Sequence, residues 1–288
     1  VNIADALRAT RSRLVGVADH PSFEAELLVA SVLQTERARL FARLKDPLRE
    51  PARALLNRLV EQRRSGCPLS LLRGWKHFRN LTLFVSRGVF IPRYETEVLV
   101  EAALQSGSSG IALDLCTGSG PLALSLADEG SFSEVFATDI SEGALSLASR
   151  NALYNNISNV SFFRGDLFDA LPPGSPRFDT IVSNPPYIPT DDLDGLPRSV
   201  SDFEPRAALD GGDDGLDVIR RIIQSAPEYM RAGSALIVEI APFQSPAVTA
   251  LLRRSGFLDV RVFPDSSMQD RCVRALYPGP GTARGSFA

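Results

Sequence analysis

The 288-residue chain is 44% hydrophobic and 23% charged, with a formal net charge of −3, the balance of an ordinary globular protein whose core needs no metal or disulfide staple. Cys67, Cys116 and Cys272 are odd in number, far apart and form no CxxC pair, so they read as reduced core residues of a cytosolic protein. His20 and His77 are too few for a metal cluster, no uncharged apolar run reaches the length of a membrane-spanning helix, and the opening VNIADALRAT, with Asp5, is unlike a signal peptide.

The charge is unevenly spread. Lys and Arg outnumber Asp and Glu 17 to 8 through Tyr94, and are outnumbered 26 to 14 from Glu95 onward. Either the front half faces an acidic or anionic partner, or its helices carry arginine-rich solvent faces.

The first part reads as a small helical domain over 1–73. Ile3, Ala6, Leu7 and Leu14 fall on one helical stripe, and Phe23, Leu27, Val29, Ala30 and Leu33 suggest a second. Thr35 is placed to cap a short helix, with Glu36 in its first turn. Asp46-Pro47 reads as a cap followed by proline at the first helical position. The helix after it offers Ala52, Leu55, Leu56, Leu59 and Val60 for burial and should end at Gly66.

Between 74 and 94 the period changes. Phe78, Leu81, Leu83 and Val85 fit a hairpin with Arg79-Asn80 near its turn, which makes this stretch the joint between two domains. A helix over about 95–105 leads into the GSSG break at 107–110. Strand and helix then alternate: strands over 111–116, 135–138, 160–163, 178–183 and 235–240, helices over 121–128, 143–151, 217–230 and 247–254. Strands over 257–263 and 271–277 can close the sheet as a pair. The pattern predicts a doubly wound, seven-stranded α/β domain over 95–277 with ligands at the carboxyl ends of its strands. The remainder, 278–288, has little to bury and reads as a disordered tail.

ALDLCTGSGPLALSLA, 112–127, is a strand, a glycine turn and a helix. Gly118 and Gly120 lie where the chain turns tightly and a ligand approaches without a Cβ in the way. Asp114 can accept hydrogen bonds from the cationic amino-acid part of a ligand, or stabilise the turn. Asp139 ends the next strand 21 residues beyond Gly118, which suits a carboxylate on ribose hydroxyls. Asp166 ends the third, where an adenine amino group can donate to it. Dinucleotide dehydrogenases share such a turn, but neither histidine lies in this half to relay a proton, and no GKS or GKT sequence suggests an ATPase.

The most specific segment is Ser183-Asn184-Pro185-Pro186-Tyr187, directly after the strand FDTIV. Amide and exocyclic amino nitrogens have delocalised lone pairs and attack poorly. A workable site accepts their N–H bonds with neutral oxygens, aims the lone pair at the electrophile and excludes water. Asn184 offers a side-chain carbonyl, Pro185 and Pro186 stiffen a backbone whose Pro185 carbonyl can be presented inward, and Tyr187 gives a flat face. These features point to methyl transfer from a sulfonium donor to a planar nitrogen, without a metal.

Gly66-Cys67-Pro68-Leu69, FRNLTLFVSRGVFIPRYETEVLVE (78–101), DLCTGSG, ATDIS, SNPPYIP and FEPRAALDGGDDGLDVIRRI (203–222) together resemble the protein-(glutamine-N5) methyltransferases that modify peptide chain release factors. The resemblance runs from the helical front to about Tyr277. It implies a Rossmann-like methyltransferase domain, S-adenosyl-L-methionine as methyl donor, and a release factor as protein substrate, its Gly-Gly-Gln loop carrying the acceptor glutamine. It further implies that Asp114, Gly118 and Gly120 cradle the methionine end of the donor, that Asp139 takes the ribose, and that Asp166 with Leu167 takes the adenine. Asn184, Pro185, Pro186 and Tyr187 would hold the glutamine amide, Asn184 also bordering the donor, while Phe90 and Arg93 line the mouth and the front domain grips the partner. The sequence departs from the family pattern at Tyr94, Cys116, Ala241 and Ser245, where proline or glycine is usual. An adenine methyltransferase and a small-molecule N-methyltransferase share the same nitrogen chemistry. The acidic α/β half opposes direct contact with nucleic-acid phosphates.

Overall fold

The structure, a computed structural model, describes residues 1–107 and 109–280. Ser108 in the GSSG break and residues 281–288 of the expected tail lie outside the described residues. The chain divides into two compact units, Val1–Trp75 with Pro197–Phe203, and Lys76–Leu196 with the chain from Glu204 onward.

The first unit is helical: α1 (Ile3–Leu14), α2 (Pro21–Val32), α3 (Arg37–Leu40), α4 (Ala52–Arg64) and α5 (Leu69–Arg73). Asn2 and Asp5 form a capping box on α1. The remaining first-turn donors of α1 are satisfied from the loop ahead of α4, where Ile3 N donates to Asp46 O at 3.0 Å and Ala4 N to Leu44 O at 3.0 Å. This use of the loop explains why Asp46-Pro47 does not start a helix. Pro47 bridges Asn2 instead, and α4 begins after Pro51. Glu36, rather than Thr35, flanks α3, and no side chain caps it.

The face of α2 also differs from expectation. Glu24, Ala25, Leu28, Val29 and Ala30 are buried, whereas Phe23 is exposed beneath the Arg37 guanidinium. The run 25–33 is apolar nearly all round, so its period does not select a face. The buried pair of Glu24 with Arg63, 2.6 Å apart, draws an acidic position inward.

The second unit opens with a hairpin of β1 (Trp75–Phe78) and β2 (Leu81–Phe84), turning at Arg79. Its sheet comprises β3 (Ser109–Leu115), β4 (Ser131–Asp139), β5 (Val160–Arg164), β6 (Phe178–Ser183), β7 (Met230–Glu239), β8 (Leu258–Pro264) and β9 (Asp270–Leu276). The order is β5-β4-β3-β6-β7-β9-β8. The first five are parallel, and β8 and β9 close the edge as the expected antiparallel pair. Alternate side chains serve the two faces. Leu113, Ile181, Leu236 and Val238 join one buried cluster, and Ala112, Val182, Ala235 and Ile237 the other.

The helices of this unit are α6 (Glu97–Gln105), α7 (Pro121–Glu129), α8 (Glu142–Tyr154), α10 (Asp217–Tyr229) and α11 (Ser245–Arg254), the short α9 (Arg198–Ser201) belonging to the first unit. Among the described residues no helix is long and apolar enough to cross a membrane. After β3 the chain moves outward to β4 and β5, then returns to lay β6 on the other side of β3. The order in which strands are added therefore reverses at the β3–β6 pair, and a crevice opens beyond their carboxyl ends.

Asn151 of α8 ties this crevice to the hairpin. Its Oδ1 accepts from Phe84 N at 2.7 Å, and its Nδ2 donates to Phe84 O at 3.2 Å and Ser119 O at 2.9 Å, all fully buried at Asn151. Asn151→Ala strands these backbone groups, at about 1–3 kcal/mol for each that finds no water. The expected loss is about 3 kcal/mol, seen as a lower urea midpoint with an unchanged slope. A loss below about 1 kcal/mol would show that the side chain is not what holds the two segments.

Candidate active site

Beyond the carboxyl ends of β3, β4, β5 and β6 lies a cavity of about 420 Å³, within the roughly 300–1,000 Å³ range of small-molecule pockets. Each strand delivers a short stretch to its wall. Cys116 to Ser119 follow β3, Asp139 to Ser141 end β4, Gly165 to Leu167 follow β5, and Asn184 and Pro186 follow β6. Phe90, Pro92 and Thr96 close it from the segment after the hairpin. The pairing of Leu115 with Ser183 sets the glycine turn and the Asn-Pro-Pro-Tyr segment side by side.

Of the residues singled out in the sequence, Gly118, Asp139, Asp166, Leu167, Asn184, Pro186 and Phe90 stand in this wall. Gly118 has positive φ (59°) and open space where a Cβ would project. Gly120 instead serves the fold. It precedes α7 with φ of 89°, and a Cβ there would meet Leu124 and Ala148 at 3.1–3.3 Å.

Asp114 sits behind the turn, fully buried. Its Oδ2 accepts from the Thr117 hydroxyl at 2.6 Å and Ala123 N at 3.0 Å, while Oδ1 has no partner among the described residues. Burial lifts its carboxyl to about 7, against the pull of those two donors. Cys116, where glycine is usual, adopts φ of 59°, a left-handed conformation that strains any residue with a Cβ. Burial pushes its thiol well up, so it stays protonated.

Asp139 accepts from Ser141 N through Oδ1 and from Gly118 N through Oδ2, both at 2.8 Å. Burial raises its pKa and these backbone donors oppose the rise. With about four acceptor directions on a carboxylate, two remain for ligand hydroxyls. Asp166 Oδ2 accepts from Arg221 at 2.7 Å. Ile140, largely exposed although apolar, adds a greasy patch to the wall.

Asn184 Nδ2 donates to the Thr96 hydroxyl at 3.2 Å, which leaves the carbonyl oxygen as its remaining acceptor. Pro185 is buried, and Tyr187 packs against the core with its hydroxyl donating to Glu239 Oε1 at 3.2 Å. Burial raises the pKa of the Tyr187 hydroxyl far above its ordinary value. Arg93 pairs with Glu204 and lies 4.9 Å over the Phe90 ring. Beside it, burial and the Arg93 charge bring the Lys76 ammonium down to about 8.

Thr96 and Glu239 were not among the residues read from the sequence. Glu239 carried the signal that marked Asp114 and Asp139, an acid ending an apolar strand. Thr96 carried none, because its partner lies 88 residues away. The cysteines assigned to the core are only partly there. Cys272 is buried, but Cys67 and Cys116 are half-buried.

The arrangement is a nucleotide-sized cavity whose wall holds Asp139, Asp166 and Asn184. Two family models match the chain, the PrmC N-terminal domain over residues 5–74 and the Methyltransferase small domain over residues 81–194. Among solved structures, a methyltransferase from Pyrococcus furiosus is similar at 17% identity and a TM-score of 0.53, covering 69% of this chain and 90% of its own. A T. thermophilus 16S rRNA methyltransferase, solved with AdoMet and guanosine, is similar at 21% identity and a TM-score of 0.50, covering 68% of this chain and 47% of its own. At these identities the likeness is one of fold. The release factor glutamine methyltransferase of Geobacter sulfurreducens is 41% identical over 256 residues, 88% of this chain and 89% of that protein. That of Moorella thermoacetica is 40% identical over 272 residues, 93% and 95% of the two chains. This chain belongs to the release factor glutamine methyltransferase family.

Proposed function

We propose that the protein transfers a methyl group from S-adenosylmethionine to the side-chain amide nitrogen of the glutamine in the Gly-Gly-Gln loop of peptide chain release factors. The observation that carries this reading is identity of 41% and 40% to two release factor glutamine methyltransferases, over 88% and 93% of this chain. The cavity wall in which Asn184 meets the glycine turn supports it. Work on release factors makes the cytoplasm its place of action. The basic excess of the first 94 residues supports assigning the helical segment over 1–73 to gripping the substrate protein.

The residues present fit the donor. The open space at Gly118 accepts a ligand backbone, and the Ser119 hydroxyl in the wall is buried without a partner among the described residues. Asp139 has acceptor capacity for a ribose, and Ile140 and Leu167 offer apolar contact to a base with Asp166 at its edge. The donor supplies an electrophilic methyl group on a sulfonium.

The protein's part is orientation. Asn184 Oδ1 and the Pro185 carbonyl accept the two N–H bonds of the glutamine amide, turning its nitrogen lone pair toward the cavity. Tyr187 and Phe90 pack on the flat amide and keep water from it. As the nitrogen bonds to the methyl carbon the carbon–sulfur bond breaks, its electron pair staying on the neutral thioether of S-adenosyl-L-homocysteine. The nitrogen gains positive charge that the same two oxygens stabilise more strongly than the neutral ground state. The extra proton is then lost to solvent, giving a neutral N-methyl amide.

Two substitutions separate the halves of this site. Asn184→Ala is expected to lower kcat on an unmethylated release factor by roughly 100-fold while leaving the calorimetric Kd for S-adenosylmethionine within about twofold. Parallel loss of rate and donor affinity would deny Asn184 its role on the amide. Asp139→Ala is expected to raise the donor Kd by about 10- to 100-fold, the weight of hydrogen bonds to a charged group. An unchanged Kd would put the ribose elsewhere.

A further inference from the structure

The hairpin pairs β2 with β1 on one edge, and the backbone groups of its other edge meet two asparagines of α8. Asn155 Oδ1 accepts from Thr82 N at 3.2 Å, and its Nδ2 donates to Thr82 O at 3.0 Å. Asn151 repeats the pattern at Phe84, accepting from N at 2.7 Å and donating to O at 3.2 Å. The spacings agree, because two strand residues advance by about 6.6 Å and four helical residues by about 6.0 Å. A carboxamide carries the donor and acceptor of a peptide group, so each asparagine closes the edge as a neighbouring strand would.

The two side chains differ in where their second N–H goes. Asn155 Nδ2 gives it to Asn151 O, 2.8 Å away in the same helix. Asn151 Nδ2 gives it to Ser119 O, 2.9 Å away in the glycine turn. Asn151 is fully buried, and Ser119 is 1% exposed in the cavity wall beside Gly118. One carboxamide therefore grips the donor turn with one hydrogen, and β2 with its other hydrogen and its oxygen.

The segment after β2 forms the wall facing that turn. The Phe84 ring lies under the Arg150 guanidinium at 4.0 Å and edge-on to Tyr154. Val89 is buried with Ala144 and Leu147 of the same helix. Gly88, Val89, Phe90 and Pro92 then line the cavity. The helix is thus the common support of both walls, and Asn151 touches the backbone behind each.

We propose that Asn151 is a positioning residue through which the glycine turn and the 88–92 wall order each other, so that donor and protein substrate bind with positive coupling. The inference rests on the reading of this cavity as the site of methyl transfer. A ligand that fixes the turn fixes Ser119 O, which holds the Asn151 carboxamide and steadies β2 with the wall it leads to. By linkage, a protein substrate seated on that wall tightens the donor side by the same factor.

Two measurements on the intact protein test this. The first is hydrogen exchange with and without S-adenosyl-L-homocysteine, which has no methyl group to transfer. In the wild type the ligand should slow exchange of the Thr82 and Phe84 amides by about 5-fold or more. In Asn151→Ala the slowing at Thr82 should vanish, although its bonds to Asn155 remain. The second is the calorimetric Kd of the same ligand, alone and with a saturating unmethylated release factor. The release factor should lower that Kd by about 5- to 10-fold in the wild type and in Asn155→Ala, and by less than about twofold in Asn151→Ala.

Asn155→Ala separates positioning from stability. It removes two bonds to β2 from the same helix but none to the turn, so a weakened hairpin shows in both variants and lost coupling only in Asn151→Ala. Ligand binding to the wild type with unchanged exchange at Phe84 would overturn the proposal, and that result needs no variant to fold. Coupling that survives in Asn151→Ala, or disappears equally in Asn155→Ala, would overturn it too. Failure of the wild type to bind the ligand at all would remove the donor reading with it, whereas intact binding and methyl transfer without coupling would remove this inference alone.

Discussion

The parallel pairing of β3 with β6 is the contact on which the site depends. Register sets Leu115 against Ser183, so the residues that follow each strand emerge as neighbours at the same end of the sheet. One strand contributes the turn at Gly118, the other Asn184. A shift of one residue on β6 would exchange the faces that Ile181 and Val182 serve and carry Asn184 away from the turn. Both strands are buried on each face, so the apolar clusters on either side hold that register more firmly than any contact within the cavity.

Electrostatics follow from the same geometry. Asp114, Asp139 and Glu239 all sit near carboxyl ends of central strands, and burial raises the pKa of each. Acids held in low dielectric are costly to charge, and nearby cations restore the charged form. A sulfonium donor carries positive charge toward this region, so donor binding and carboxylate ionisation favour each other. Asp114 shows that the acids have different tasks. Its oxygen on Thr117 and Ala123 holds the turn rather than the cavity wall.

The fold was legible where chemistry punctuates the chain. β6 matched its expected span because an apolar run ends at Asn-Pro-Pro, and the glycine turn was marked by Gly118 and by Asp139 across from it. The helical front was read less well. The apolar run of α2 carries no preferred face, and Asp46-Pro47 looks like a helix start until the open donors of α1 claim its carbonyl. At the site, residues whose neighbours are local could be found, whereas Thr96 and Glu239 acquire their meaning from partners 88 and 52 residues away. Tertiary pairing of that kind leaves no spacing to read.

The most direct test of the central claim is to incubate the protein with labelled S-adenosylmethionine and a purified, unmethylated release factor, then digest the product and locate the label by mass spectrometry. The account requires one methyl group on the side-chain nitrogen of the Gly-Gly-Gln glutamine, and none when that glutamine is replaced. Label on another residue, or no transfer while donor binding is intact and a second release factor methyltransferase works in parallel, would contradict it.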